Sequence, residues 1–212
     1  MTKRSALLLA GLLSAAAIAA GPAHAEQIRL MVLGDSLTSG YGLAPDESFT
    51  AQLEAALQAK GLDVVVLNAG VSGDTTAGGL ARLDWALADS PTHVIVELGS
   101  NDGLRGLDPA SARENLDRIL GRLDQAGIPA LLAGMLAPPN FGSDYATEFN
   151  AIYPELAEAH GVPIYPFFLD GVATVVDLNQ GDRIHPNAQG VAEIVDRMLP
   201  AVVSWLQADA NA

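Results

Sequence analysis

The sequence predicts an α/β fold in which a parallel sheet is covered by helices on both faces. Short runs rich in Val, Leu and Ile alternate with longer amphipathic stretches along most of the chain, and this alternation is typical of βαβ units. The apolar runs are almost continuous, as expected for strands that are buried on both faces. No internal repeat or linker interrupts the pattern in the sequence, so we predict a single domain.

Five apolar runs are predicted as strands, at residues 28–33, 63–67, 93–98, 130–135 and 163–166. Five helices are predicted between and after them, at residues 48–59, 76–89, 109–126, 146–160 and 188–208. Asp108 and Pro109 mark the start of the third helix, and Gly127 marks its end. Pro154 weakens the fourth helix, which could therefore consist of two pieces. The irregular segment 167–184 is long enough to favour a functional loop.

The first 25 residues have the features of a secretory signal peptide. They begin with Lys3 and Arg4, continue with an apolar stretch and end at Ala25 in an Ala-His-Ala sequence that resembles a cleavage site. The apolar stretch is shorter than the ~20 residues that a membrane-spanning helix needs. We therefore expect a signal peptide over residues 1–25 and one periplasmic or secreted domain over residues 26–212, without a stable membrane anchor.

The composition argues against several classes of ligand. The formal net charge is −14, and phosphate contacts in nucleic-acid binding need clustered Lys and Arg. Outside the predicted signal peptide the histidines are His93, His160 and His185, and none lies at zinc-ligand spacing to another histidine. The chain has no cysteine. We expect no nucleic acid, no metal and no cofactor, and the sequence identifies no partner protein.

Polar motifs follow the predicted strands. A Gly-Asp-Ser-Leu motif at residues 34–37 follows the first strand, residues 68–74 follow the second, and a Gly-Ser-Asn-Asp motif at residues 99–102 follows the third. Residues 182–187 lie just before the last helix. Because ligands of open parallel sheets bind at the carboxyl ends of the strands, we expect these loops to form one cleft.

Three of these residues have the chemistry of a hydrolytic triad. A serine hydroxyl is a weak nucleophile unless an imidazole accepts its proton, and the imidazole needs an acceptor on its other nitrogen. Ser36, His185 and Asp182 match these requirements. The structural alternatives are an ordinary turn at Ser36, a helix-entry position for His185 and a helix cap at Asp182.

Acyl transfer also requires donors that face the oxyanion of the tetrahedral intermediate. The candidates are the backbone N–H groups of Ser36 and Gly70 and the side-chain amide of Asn101. Asp35 and Asp102 lie in the same motifs, but we expect them to bind loop N–H groups or to cap helices. His93 and His160 are also expected to be structural.

These motif blocks resemble the GDSL, or SGNH, hydrolase family, whose letters stand for Ser, Gly, Asn and His. Residues 101–106 and 151–154 are most similar to its periplasmic thioesterase, arylesterase and lysophospholipase group. The resemblance implies a flavodoxin-like three-layer α/β/α sandwich with a five-stranded parallel sheet. It also implies that Ser36 is the nucleophile, His185 the base and Asp182 its partner, acting on short to medium acyl esters and thioesters.

The predicted site also includes a groove for the acyl chain. In the group that this chain resembles, the loop at about residues 103–107 moves over the bound chain. The candidate groove residues are Gly103, Leu104, Arg105, Leu136, Pro138, Pro139, Phe141 and Ile184. Core packing would explain the apolar residues among them equally well.

Three other functions remain compatible with the sequence. A carbohydrate or peptidoglycan O-acetylesterase would use the same catalytic residues. A flavodoxin-like binding domain would instead hold phosphate in the first loop, with Ser36, Thr38 and Ser39. A structural or interaction protein is the third alternative, and no repeat in the sequence favours it.

Overall fold

A computed structural model of the chain describes residues 27–209, and these residues form a five-stranded parallel sheet. The predicted signal peptide lies outside the described residues. The sheet order is β2-β1-β3-β4-β5, and every neighbouring pair is parallel. The strands are β1 (Ile28–Gly34), β2 (Val64–Gly70), β3 (His93–Glu97), β4 (Ala130–Ala133) and β5 (Ile164–Tyr165). This arrangement confirms the predicted parallel sheet.

Helices cover the sheet in two groups. α2 packs against α8, while α6 contacts α3 and α7, and the result is the predicted three-layer α/β/α sandwich. The described helices are α1 (Ser36–Ser39), α2 (Phe49–Ala59), α3 (Thr76–Ala81), α4 (Leu83–Leu87), α5 (Ser100–Leu104), α6 (Pro109–Gln125), α7 (Ser143–His160) and α8 (Ala188–Asp209). None of these helices is both long enough and apolar enough to cross a membrane.

The helices differ from the sequence-based prediction at three points. The predicted helix at residues 76–89 is two short helices, because Arg82 between them has φ −104° and ψ 4°. Its side chain pairs with Asp74 and donates to the carbonyl of Gly34. α7 is a single helix despite Pro154. The short helices α1 and α5, which directly follow β1 and β3, were not predicted.

The strand order places the loop after β1 at the centre of the sheet edge. From β1 the chain moves to β2 on one side and then to β3 on the other side. The order therefore reverses at β1, and ligands of doubly wound sheets bind beside this point. Gly34, the last residue of β1, is in register with Gly70 of β2 and with Glu97 of β3.

The core between sheet and helices is apolar, and α6 shows how the sequence builds it. Its buried residues include Leu116, Ile119, Leu120 and Leu123, which recur every three or four positions and so form one face of the helix. Every residue of β3 and β4 is buried.

We expect Leu120→Ala to lower the free energy of unfolding by about 2–5 kcal/mol, because it removes a buried side chain and leaves a cavity. Arg118→Ala, on the exposed side of the same helix, is the matched control and should change it by no more than about 0.5 kcal/mol. Chemical denaturation measures both. Equal effects of the two substitutions would contradict the described orientation of α6.

Candidate active site

Ser36 lies where β1 passes into α1, and it is the first residue of α1. The preceding residue, Asp35, caps this helix by accepting a hydrogen bond from the N–H of Leu37 at 2.9 Å. The N–H of Ser36 has no acceptor within the helix because it belongs to the first turn. Both the hydroxyl and the N–H of Ser36 therefore belong to a short turn at the carboxyl edge of the sheet.

His185 and Asp182 complete a relay of polar atoms with Ser36. The Nε2 atom of His185 lies 2.9 Å from the Oγ atom of Ser36, and its Nδ1 atom lies 2.7 Å from Asp182 Oδ2. Fold topology thus brings together a serine and a histidine that are 149 positions apart in the chain. This is the arrangement by which an imidazole takes a hydroxyl proton while a carboxylate holds its other nitrogen.

Asp182 is held in its ionised form by the turn that carries it. Its Oδ1 atom accepts the backbone N–H groups of Ile184 and His185, at 2.9 and 3.0 Å. These two bonds and the bond to the His185 ring lower the pKa of Asp182 to about 2. The cap of α8 is a different residue, Asn187, whose Oδ1 accepts the N–H groups of Gln189 and Gly190.

Tyr41 is a site residue that the sequence analysis missed. Its ring packs against the ring of His185, with 4.5 Å between centroids and an angle of 37°. Gln180, in the same loop as His185, donates to the carbonyl of Tyr41 at 2.8 Å. No spacing rule points to Tyr41, because these contacts join two loops that are distant in the sequence.

Asp35 connects the serine turn to Asn101. Its Oδ2 atom accepts a hydrogen bond from the amide of Asn101 at 2.9 Å and another from the hydroxyl of Ser100. Asp35 is fully buried, which raises its pKa, and its hydrogen bonds oppose this shift without cancelling it. Asp102, also buried, accepts from the N–H and hydroxyl of Thr76. Asp35 thus caps a helix and Asp102 binds a loop N–H group, which are the structural contacts expected from the sequence.

Gly70 does not offer a free N–H group, so its predicted role needs correction. Its N–H donates to Asn68 Oδ1 at 3.0 Å. A side chain at position 70 would overlap the backbone nitrogen of Ser39. Glycine is therefore needed at this position because the end of β2 closely approaches α1, and an oxyanion would have to displace Asn68.

Gly73, three residues after Gly70 in the same loop, has an N–H group that is free, within the described part of the chain, to donate to an oxyanion. It lies in the turn closed by the hydrogen bond from Asp74 N–H to the Val71 carbonyl, with φ +84°. Arg105 donates to the Gly73 carbonyl at 2.9 Å and to Asn101 Oδ1 at 3.4 Å, which places Gly73 beside Asn101. Among residues 27–209 the N–H of Gly73 has no acceptor. The sequence alone does not distinguish two glycines in one loop.

An apolar cavity of about 460 Å³ opens beside Ser36, Asn101 and His185. Five of the predicted groove residues line it, namely Leu104, Leu136, Pro138, Pro139 and Ile184. Its wall also includes Leu37, Met135, Phe167 and Leu169, which the sequence analysis did not select.

The other predicted groove residues lie elsewhere. Gly103 is buried, and a side chain there would press against the ring of Phe149. Arg105 points toward Gly73, as described above. Phe141 packs its ring against Tyr145, with 5.3 Å between centroids.

His93 and His160, the other histidines within residues 27–209, lie away from this cleft, each beside a carboxylate. His93 begins β3, at the opposite end of the strand from the cleft, and its Nε2 atom lies 3.1 Å from Asp209. His160 Nε2 lies 2.8 Å from Asp117. Burial lowers the pKa of His93, although Asp209 partly opposes the shift. In residues 27–209 no cluster of three or more His, Asp or Glu side chains could hold a metal ion.

Comparison with known proteins identifies relatives over most of the chain. The profile of the GDSL-like Lipase/Acylhydrolase family matches residues 32–192. Esterase TesA of Pseudomonas aeruginosa is 38% identical over 93% of this chain and 97% of that protein. Thioesterase 1/protease 1/lysophospholipase L1 of Escherichia coli strain K12 is 41% identical over 80% of each. The crystal structure of AlinE4, an SGNH-hydrolase family esterase, is 50% identical with a TM-score of 0.72, covering 85% of this chain and 97% of that one.

We expect the carboxyl group of Asp182 to titrate at about pH 2, well below the ~3.9 of an ordinary Asp. Because this pKa is depressed on folding, any stabilisation from the carboxylate is present above the ordinary value and is lost as pH falls through about 2. Carbon-13 NMR of the side-chain carboxyl group measures this pKa.

In His185→Ala the two backbone donors to Asp182 remain, so the pKa of Asp182 should rise only part of the way toward its ordinary value. A full return in this variant would contradict the dominant role of the backbone bonds. An ordinary pKa for Asp182 in the folded wild-type protein would contradict the turn geometry itself.

Proposed function

Because the chain belongs to the GDSL-like lipase/acylhydrolase (SGNH) family of carboxylic ester hydrolases, we propose that it cleaves esters and thioesters of short to medium acyl chains through an acyl-enzyme on Ser36. The observation that carries this proposal is the relay of Ser36, His185 and Asp182, with atom separations of 2.9 and 2.7 Å. Two of the relatives are named an esterase and a thioesterase, which agrees with the proposal that ester and thioester bonds are cleaved.

The reaction follows from the chemistry of the relay. His185 Nε2 accepts the proton of the Ser36 hydroxyl as its oxygen attacks the acyl carbonyl, and the Asp182 carboxylate stabilises the imidazolium that forms. His185 then protonates the leaving alcohol or thiol, which departs and leaves the acyl group on Ser36. In the second half of the reaction His185 takes a proton from water as the water oxygen attacks the acyl carbonyl. His185 then returns the proton to the Ser36 oxygen as the acyl–oxygen bond breaks and the carboxylic acid leaves.

Three donors are proposed to hold the oxyanion: the N–H groups of Ser36 and Gly73 and the second amide proton of Asn101. Gly73 takes the place predicted for Gly70, for the reasons given above. The bond from Asn101 to Asp35 and the contact of its oxygen with Arg105 orient the amide before substrate binds. Pre-oriented donors are effective because they need no reorganisation, and each contributes about 3–4 kcal/mol.

The apolar cavity supports an acyl chain longer than acetyl. Its lining is mainly apolar, and it begins at Ser36. An O-acetylesterase would not need this space. The phosphate-binding alternative has less support, because the Thr38 hydroxyl is fully buried and donates to Glu97 rather than facing the cleft.

We propose that the protein acts in the periplasm or outside the cell. The support is the signal-like sequence of residues 1–25, whose structure lies outside the described range.

Ser36→Ala should abolish covalent labelling by a fluorophosphonate probe and lower kcat by roughly 10⁴-fold or more, because within residues 27–209 no other hydroxyl in this cleft is hydrogen-bonded to His185. Ser39→Ala is the matched control on the same short helix and should still be labelled. Intact-protein mass spectrometry and circular dichroism report labelling and folding. Labelling that persists in folded Ser36→Ala would place the nucleophile elsewhere.

A panel of p-nitrophenyl esters and matching thioesters, from acetyl to long chains, tests the acyl preference. We expect kcat/KM to rise beyond acetyl and to reach an optimum, because each buried CH₂ contributes about 0.8 kcal/mol until the cavity is full. Turnover of acetyl esters alone would support an O-acetylesterase instead.

A further inference from the structure

Glu97 is a buried carboxyl group that the proposed mechanism does not use. It is the last residue of β3, has no exposed surface, and is in register with Gly34 of β1. Its side chain lies directly beneath the turn that carries Ser36. A carboxyl group in such a place loses its hydration, so its contacts need an explanation.

One oxygen of Glu97 binds the serine turn on both sides of Ser36. Its Oε2 atom accepts the hydroxyl of Thr38 at 2.6 Å and is approached by the N–H of Asp35 at 3.4 Å. Asp35 precedes Ser36, and Thr38 follows it by two positions. Asp35 and Thr38 are as fully buried as Glu97.

Gly34 provides the space for this contact. A side chain at position 34 would overlap both the Thr38 hydroxyl and Glu97 Oε2. The first residue of the Gly-Asp-Ser-Leu motif is therefore tied to Glu97 by packing. Gly34 also accepts the Arg82 guanidinium at its carbonyl, at 2.9 Å, so the end of β1 is held from two directions.

The surroundings of Glu97 disfavour its charged form. Burial raises its pKa well above the ordinary range, and the nearby charge of Asp35 raises it further, while the bonds from Thr38 and Asp35 oppose this only in part. A neutral carboxyl group still accepts hydrogen bonds through its oxygen. It also adds no negative charge beside the carbonyl oxygen that becomes an oxyanion at Ser36.

The second carboxyl oxygen of Glu97, Oε1, indicates that stabilisation of the fold alone does not explain a carboxyl group at position 97. Within residues 27–209, Glu97 Oε1 is buried without a hydrogen-bond partner. An unsatisfied buried polar atom destabilises the folded state. Glu97 therefore carries a stability cost, and within residues 27–209 its side chain has hydrogen bonds only with Asp35 and Thr38, on either side of Ser36.

We propose that Glu97 is a positioning residue for the nucleophile: from beneath the sheet edge it fixes Asp35 and Thr38, and so holds the Ser36 hydroxyl at the correct distance from His185. This inference rests on the proposed function of Ser36. A displacement of the reacting atom by about 1 Å can lower a rate by about 10²-fold, so loss of this support should reduce turnover without affecting the acyl cavity.

The test combines Glu97→Gln, Glu97→Leu, Thr38→Val and the Glu97→Leu/Thr38→Val double variant. We expect Glu97→Leu and Thr38→Val to lower kcat, and the rate of Ser36 labelling by a fluorophosphonate, by about 10- to 100-fold, with KM within about threefold. Glu97→Gln keeps an acceptor oxygen and should retain at least about a third of the wild-type rates. The double variant should be no slower than Glu97→Leu, since both changes break the same contact.

Leu120→Ala is the control for stability, because it weakens the fold away from the nucleophile and should keep the wild-type labelling rate per folded molecule. If folded Glu97→Leu is labelled at the wild-type rate, the proposal is wrong. It is equally wrong if Glu97→Gln loses as much activity as Glu97→Leu, because an acceptor oxygen would then not be what matters.

If Glu97→Leu does not fold, Thr38→Val decides, since it keeps the side-chain shape and removes only the hydroxyl. An unchanged rate in Thr38→Val would then overturn the proposal. Wild-type protein that is not labelled at Ser36 would instead reject the proposed function, so the two failures are distinguishable.

Discussion

The parallel register of β1 with its two neighbours is the constraint on which the site depends. Gly34 is paired with Gly70 on one side and with Glu97 on the other. Three chain segments therefore leave the sheet in one row, and the short turns that follow carry Ser36, Gly73 and Asn101. A shift of one residue in either pairing would turn every side chain of that strand to the opposite face. Since β1 and β3 are buried on both faces, packing strongly disfavours such a shift.

Asp35, Glu97 and Asp182 differ in burial and in their hydrogen-bond donors, so their pKa values shift in different directions. These shifts match the proposed roles of the three residues. Asp182 is largely exposed and receives two backbone N–H bonds, so its pKa falls and it stays charged beside His185. Asp35 is buried but has three donors, which limit the rise in its pKa. Glu97 is buried, one of its oxygens has no hydrogen-bond partner within residues 27–209, and burial raises its pKa well above the ordinary range. The surroundings thus favour negative charge where an imidazolium would form and disfavour it beneath the nucleophile.

Much of the fold could be predicted because buried parallel strands leave a simple pattern in the sequence. Runs of Val, Leu and Ile located all five strands, and the motifs after them located the cleft. The break between α3 and α4 was missed, because it depends on the contacts of Arg82 with Asp74 and with the Gly34 carbonyl. The sequence could not show that the Gly70 N–H already has an acceptor and that the Gly73 N–H has none within residues 27–209, because a free N–H is a property of hydrogen bonding in three dimensions. The triad roles of Ser36, Asp182 and His185 stay predictions until the nucleophile is labelled.

The loop that carries His185 is held by polar contacts with residues 177–180, and it meets the loop after α1 through Gln180 and Tyr41. Gln180 donates hydrogen bonds to the carbonyls of Tyr41 and Pro186. Its amide packs against Gly42, where any side chain would overlap it. The ring of Tyr41 then lies against that of His185. Ser36 is thus positioned by the sheet, whereas His185 is positioned by its own loop and by the ring of Tyr41. Since Tyr41 comes only five positions after Ser36, the chain segment that carries the nucleophile also packs against its base, and this contact supports the 2.9 Å separation that the fold topology sets.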